Sequence, residues 1–158
     1  MHHPKEHVLK IVQRALLAVL LVAGAPATWA KTCTVAIAGN DQMKFDKTEI
    51  AVAGDCTEVK LVLKHTGKLA ANIMGHNWVL ARTADFQPLA NDAVKSKLED
   101  DYLPKGDARV IAHTQVIGGG QETSVTFPTG KLEKGGDYTF FCSFPGHFTM
   151  MKGVFKFG

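Results

Sequence analysis

Along most of this chain apolar residues fall at every second position, a period that suits strands and is hard to reconcile with helices. Val59, Leu61 and Leu63 alternate with Lys60, Val62 and Lys64, and Val125 and Phe127 alternate with Ser124 and Thr126. Tyr138, Phe140 and Cys142 alternate with Thr139 and Phe141, and Phe155 and Phe157 with Val154 and Lys156. Gly39-Asn40-Asp41, Gly54-Asp55, Gly118-Gly119-Gly120 and Gly135-Gly136-Asp137 punctuate these runs as turns. Short strands at such spacing predict an all-β fold, a Greek-key β-sandwich. One stretch departs from the pattern. From Asp92 to Tyr102, Ala93, Val94, Leu98 and Tyr102 recur at helical intervals among charges, which predicts one short α-helix inserted between strands.

Residues 1–30 read as a secretory signal peptide. Lys5, Lys10 and Arg14 form a basic start, Ala15 to Ala23 an apolar run, and Thr28-Trp29-Ala30 a cleavage site. A membrane span needs about 20 apolar residues, and this run is closed by Arg14 and by Gly24 and Pro26. The expectation is an exported protein without a membrane anchor, cut near Ala30, with residues 31–158 as a single domain.

The split also changes the charge. The whole chain carries +3, but beyond Ala30 there are 15 basic against 14 acidic residues, a net of +1. That is too nearly neutral for a nucleic-acid partner. There is no C-x-x-C, no Walker loop and no G-x-S-x-G elbow, so redox-dithiol, nucleotide and serine-hydrolase chemistries lose their signatures.

Three cysteines is an odd number, and in an oxidising compartment one pair can bridge while one thiol remains. Cys142 has the company that gives a free thiol a task. It opens Cys142-Ser143-Phe144-Pro145-Gly146-His147-Phe148-Thr149-Met150-Met151, a loop with Pro and Gly to bend it. Met74-Gly75-His76-Asn77-Trp78 supplies a second His far upstream. One Cys, two His and a Met form a soft donor set that suits a trigonal copper site with a weak axial thioether. Zinc would normally ask for a fourth strong donor.

The chain from Cys33 onward resembles the azurin family of bacterial type 1 blue-copper proteins, the cupredoxins. The resemblance rests on Gly-Asn-Asp-Gln-Met at 39–43, Met-Gly-His-Asn-Trp-Val-Leu at 74–80 and Arg-Val-Ile-Ala-His-Thr at 109–114. Ser-Val-Thr-Phe at 124–127 and Phe-Phe-Cys-Ser-Phe-Pro-Gly-His at 140–147 extend it. It implies a cupredoxin-like sandwich holding one copper ion, with His76, Cys142 and His147 as equatorial ligands. Met151 is then the axial thioether and the Gly75 carbonyl a distant oxygen. Strand parity also separates Met151 from Met150, since Met151 shares a face with Phe155 and Phe157. The backbone N–H groups of Asn77 and Phe144 are implied as donors to the Cys142 sulfur. Cys33 and Cys56 are implied as a disulfide, closing a loop of roughly 24 residues worth about 3 kcal/mol. His65 is expected to be a partly buried non-ligand, His113 a surface residue and Trp78 a core residue.

The function implied is a soluble periplasmic carrier of single electrons, cycling Cu(I) and Cu(II), and not an enzyme. Met43, Leu69, Ile73, Met74, Val94, Phe144 and Gly146 are implied as an apolar docking patch around the His147 edge. Small patches of this kind suit brief encounters. The implied partners are c-type cytochromes and periplasmic reductases or dehydrogenases, met by a monomer. A chaperone would want an exposed, exchangeable site. A multicopper enzyme would need more than the four histidines found beyond Ala30. A hydrolase using Cys142 and His147 would need an oxyanion hole, of which no motif is present.

Overall fold

The computed structural model describes residues 30–158, so the expected signal segment lies, but for Ala30, outside the described residues. Among these, nine strands are present: β1 Thr32–Asn40, β2 Lys44–Phe45, β3 Glu49–Val52, β4 Glu58–His65 and β5 Val79–Arg82, then β6 Ala112–His113, β7 Glu122–Pro128, β8 Tyr138–Phe141 and β9 Lys152–Phe157. A single helical turn, α1 Ala71–Met74, precedes β5, and α2 Thr83–Ala93 follows it.

The strands form two sheets, ordered β2-β1-β4-β7 and β3-β9-β8-β5-β6. Each sheet holds one parallel pair, β1 with β4 and β3 with β9, among otherwise antiparallel neighbours. Parallel neighbours cannot be joined by a tight hairpin. The chain therefore leaves the first sheet after β2, adds β3 to the second, and returns as β4. The result is the cupredoxin-like sandwich that the alternating pattern and the resemblance led us to expect.

Alternation sorts the side chains. Val59, Leu61 and Leu63 of β4 are fully buried, while Lys60 and Lys64 point to solvent. Phe155 and Phe157 are buried between exposed Val154 and Lys156. Trp78 lies at the centre of the core, its ring 6.1 to 6.2 Å from those of Phe127, Phe140 and Phe155. Fully burying each such ring contributes up to about 3 kcal/mol. The Trp78 Nε1–H has no hydrogen-bond partner, so packing alone keeps it there. β8 is buried on both faces, because its outward Phe141 joins a second cluster with Phe86, Leu89 and Ala90 from α2.

The inserted helix exists but sits earlier than the periodicity suggested. Phe86, Leu89, Ala90 and Ala93 form its buried stripe over 83–93, so the expected Asp92–Tyr102 helix overlaps it only at Asp92 and Ala93 and beyond them holds a three-residue 3-10 turn at Leu98–Asp100. Pro88 inside α2 masks the true helix in the sequence, since proline removes a helical N–H. Of the apolar residues of 92–102, Ala93 belongs to α2, Val94 is exposed, and Leu98 and Tyr102 are partly buried. Asp101 and Tyr102 have left-handed backbones, at φ 54° and 50°, and end any helix there.

Cys33 and Cys56 are joined, with Cα atoms 5.8 Å apart, as the resemblance implied. The bridge ties the start of β1 to the turn before β4. Cys142 is the free cysteine, and it is buried.

Candidate metal centre

The end of the sandwich opposite the disulfide gathers the soft donors. Cys142 is the first residue past β8, and its N–H donates to the Met151 carbonyl at 3.0 Å, drawing the two ends of the loop together. Inside it, Gly146 takes φ 83°, where a side chain would be strained, and starts a 3-10 turn over His147–Thr149. The His147 carbonyl then accepts the N–H of Met151 at 2.7 Å, locking the return. Three donors within a ten-residue segment, Cys142 to Met151, thus reach one point for local reasons.

His76 arrives from the other direction. It follows α1 and Gly75, and pairs with Ile117 through two backbone hydrogen bonds of 3.0 and 2.9 Å. Its Nε2 lies 2.8 Å from the Asn40 carbonyl and donates to it, so Nδ1 keeps its lone pair. That Nδ1 is 3.9 Å from the Cys142 sulfur, and the His147 Nδ1 is 3.7 Å from it. The three donor atoms lie within 4.8 Å of one another, the one such cluster of His, Cys and carboxylate groups among the described residues. The Gly75 carbonyl is 3.9 Å from the sulfur. Met151 is fully buried and Met150 is 64% exposed. Met151 stands beside His76, since a Cβ on Gly39 would come within 2.8 Å of the His76 ring and 3.3 Å of the Met151 methyl.

Burial sets the electrostatics. It pushes the Cys142 thiol up to about 12, against the pull of the Asn77 and Phe144 N–H groups that face the sulfur. It also lowers His147 to about 4, and lowers His76. A buried thiol between neutral imidazoles keeps its proton until a metal cation takes the proton's place on sulfur and the proton leaves to solvent, because coordination deprotonates a thiol outright. The donors fit copper: one thiolate, two imidazoles and a neighbouring thioether, with no carboxylate in the cluster to complete a zinc tetrahedron.

Around the donors is a polar frame. The Asn77 Nδ2 donates to the Asp101 carbonyl at 2.9 Å and to the Ser143 hydroxyl at 2.7 Å, and its Oδ1 accepts the Ser143 N–H at 2.8 Å. His65 is more buried than the sequence suggested, 0% exposed, and stacks on His76 with centroids 4.3 Å apart. Its Nε2 donates to the Met74 carbonyl and its Nδ1 accepts from Gly67, so it has no lone pair to offer a metal. His113 lies at the surface, its side chain 42% exposed.

Of the residues expected around the His147 edge, Leu69, Ile73, Val94 and Gly146 are exposed, and Met43, Met74 and Phe144 are partly buried. Phe144 lies against the His147 ring at 4.4 Å. Sequence reasoning missed Gly39, Asn40, Ser143 and Asp101. Asn40 acts through its backbone carbonyl and Asp101 largely through its own, which have no side-chain signature, and Gly39 acts through lacking a side chain. Ser143 had a signal, its place directly after the free cysteine.

Comparison with known proteins agrees with this geometry. A family model described as copper binding proteins, plastocyanin/azurin family, matches residues 31–158. Azurin-1 of Alcaligenes xylosoxydans xylosoxydans is 59% identical over 124 residues, 78% of this chain and 96% of that one. The azurin of Bordetella pertussis is 53% identical, covering 87% of this chain and 91% of its own. Among solved structures, the azurin Az-iso2 of Methylomonas sp. strain J superposes with a TM-score of 0.77 at 40% identity, over 80% of this chain and 98% of that one.

Proposed function

The chain belongs to the plastocyanin/azurin family of copper-binding proteins, and from that premise we propose a periplasmic one-electron carrier built on a single type 1 copper site. That it is a copper protein that carries electrons follows from the family. The proposal adds where it works, which residues serve the metal and what it meets. Residues 31–158 form the working domain once residues 1–30 have directed export. His76, Cys142 and His147 would hold the metal, with the Met151 thioether and the Gly75 carbonyl as its further neighbours.

Bound copper supplies a Cu(I)/Cu(II) couple. The chain's own residues do the rest. The Asn40 carbonyl keeps the His76 Nδ1 aimed at the sulfur. The Asn77 and Phe144 N–H groups stabilise negative charge on that sulfur and so tune the potential. The sandwich and the loop hydrogen bonds hold the donors in place in both oxidation states. Burial supports a carrier over a catalyst, because none of the four side chains is more than 3% exposed.

His147, at 3%, is the one of the four that is not wholly covered. With Phe144 against it, its edge is the natural port for electrons. Met43, Leu69, Ile73, Met74, Val94 and Gly146 complete an apolar surface for c-type cytochromes and periplasmic reductases or dehydrogenases. The near-neutral mature charge suits short encounters without strong steering.

The convergence of three buried donor atoms within 4.8 Å carries the reading. Its test is a titration of the purified protein with Cu(II). An intense blue thiolate-to-copper band, bleached reversibly by ascorbate and lost in Cys142→Ser, is the expected result. A colourless copper complex would overturn it.

A further inference from the structure

We propose that Asp101 and Tyr102 are positioning residues of the metal centre: one strained turn that reaches the surroundings of all three equatorial donors. The inference rests on the copper reading above, and it concerns a segment that touches none of the ligands.

The turn is unusual in itself. Two consecutive residues other than glycine hold left-handed backbones, φ 54° and 50°. Aspartate tolerates that region, but tyrosine seldom enters it. The conformation is secured by three N–H donations, from Asp101 to the Leu98 carbonyl, Tyr102 to Lys97 and Leu103 to Asp100, at 3.0, 2.9 and 3.0 Å. Strain of this kind persists where the surroundings over-determine it.

From the turn, three connections run to the site. The Asp101 carbonyl accepts from the Asn77 Nδ2 and from the Ser143 hydroxyl, both at 2.9 Å. Asn77 directly follows His76 and Ser143 directly follows Cys142, so one oxygen holds together the two segments that carry the sulfur's N–H donors. The Asp101 Oδ1 accepts the Val116 N–H at 2.7 Å. The next residue, Ile117, makes the two-way backbone bridge to His76. The Tyr102 ring meets Phe144 edge-on at 5.1 Å, and Phe144 lies on His147 at 4.4 Å. A left-handed pair directs the carbonyl and the ring to these separate targets within two residues, which a continuing helix would not do.

The test uses glycine variants, since glycine takes the left-handed backbone of both positions without strain. Asp101→Gly removes the acceptor for the Val116 N–H, and Tyr102→Gly removes the ring from Phe144. In the copper-free protein, amide hydrogen exchange at Val116 and Ile117 should quicken at least about tenfold in Asp101→Gly. Asp101→Asn, which keeps an acceptor oxygen and tolerates the same φ, should restore the parent rate. In the copper-loaded protein, Asp101→Gly and Tyr102→Gly should shift the reduction potential and the visible charge-transfer spectrum, and Asp101→Asn and Tyr102→Phe should bring both back. Unchanged amide exchange overturns the brace. Altered exchange with parental spectrum and potential overturns its role at the metal centre. A parent protein that stays colourless with Cu(II) overturns the copper reading instead, while the copper-free measurement still decides the brace.

Discussion

The Nε2–H of His76 donates to the backbone carbonyl of Asn40 at 2.8 Å, so the tautomer of a buried imidazole is chosen by the last residue of β1. The ring has little freedom left. One face stacks on His65 at 4.3 Å, and the space beside it is the missing side chain of Gly39. The first strand of one sheet thereby sets the orientation of a donor that precedes a strand of the other.

Adding one methyl group should disturb this arrangement. In Gly39→Ala the new carbon would fall 2.8 Å from the His76 Cδ2 and 3.3 Å from the Met151 Cε, so both must shift. The φ at Gly39 is not left-handed, and the strand should survive. The expected result is a folded protein with a changed ratio of visible charge-transfer bands and copper affinity weakened about tenfold, roughly the effect of 1.4 kcal/mol of misplacement. Gly130→Ala, where nothing lies within 4 Å, serves as the control. A parental spectrum in Gly39→Ala would show that the site has more slack than its contacts imply.

Charge placed on the apolar surface should affect encounter and leave the metal alone. The Met74 side chain is partly buried, and only its carbonyl serves the interior, as acceptor for His65. Met74→Lys should therefore keep its colour and potential while slowing electron exchange with a c-type cytochrome about tenfold, measured by stopped flow. Equal rates would remove Met74 from the docking surface.

The disulfide should matter for stability and not for colour. Replacing both Cys33 and Cys56 by Ala should cost about 3 kcal/mol, read from denaturant unfolding of the copper-free protein. The visible spectrum of the loaded protein should not move, because the bridge sits at the far end of β1 from Gly39. A shifted spectrum would mean that strain travels the length of the sandwich.

Acid sensitivity should include a contribution from Asp107. The Arg109 guanidinium, with bonds of 2.6, 2.9 and 3.2 Å, and then the Arg109 backbone N–H at 3.0 Å hold its carboxylate at about 2, well below its ordinary 3.8. A folded-state pKa below the unfolded one stabilises the fold above 3.8, and that contribution is lost as pH falls through about 2. Asp107→Asn should accordingly be less stable than the parent at neutral pH, with the two unfolding curves converging toward about pH 2. Parallel curves at all pH values would refute the assignment.

How much of this was legible in the sequence depends on what acts through side chains. Leu61 and Lys60 announced their faces by alternation, and Cys142, His147 and Met151 announced a common point by standing on one bent loop. α2 was hidden by Pro88, and its apolar stripe is no more regular than the false one that follows it. Asn40 and Gly39 shape the site through a carbonyl oxygen and an absent methyl, which leave no trace in residue type, and the Asp101 carboxylate that holds the Val116 N–H looked like one more surface charge. Tyr102 looked like one more apolar step of a helix, and only its backbone angle separates it from that pattern.

The length of β1 also keeps two kinds of sulfur chemistry apart. Gly39, which lies against the ligands, is six steps along the strand from Cys33, a span of about 20 Å in extended chain. A thiolate scrambles a disulfide only by touching it. In the folded protein Cys142 is sealed in the core at one pole while the bridge closes the other. Mispairing of the third cysteine is thus confined to the unfolded chain, and once the sandwich has closed only a thiol from outside the molecule can reach the cross-link.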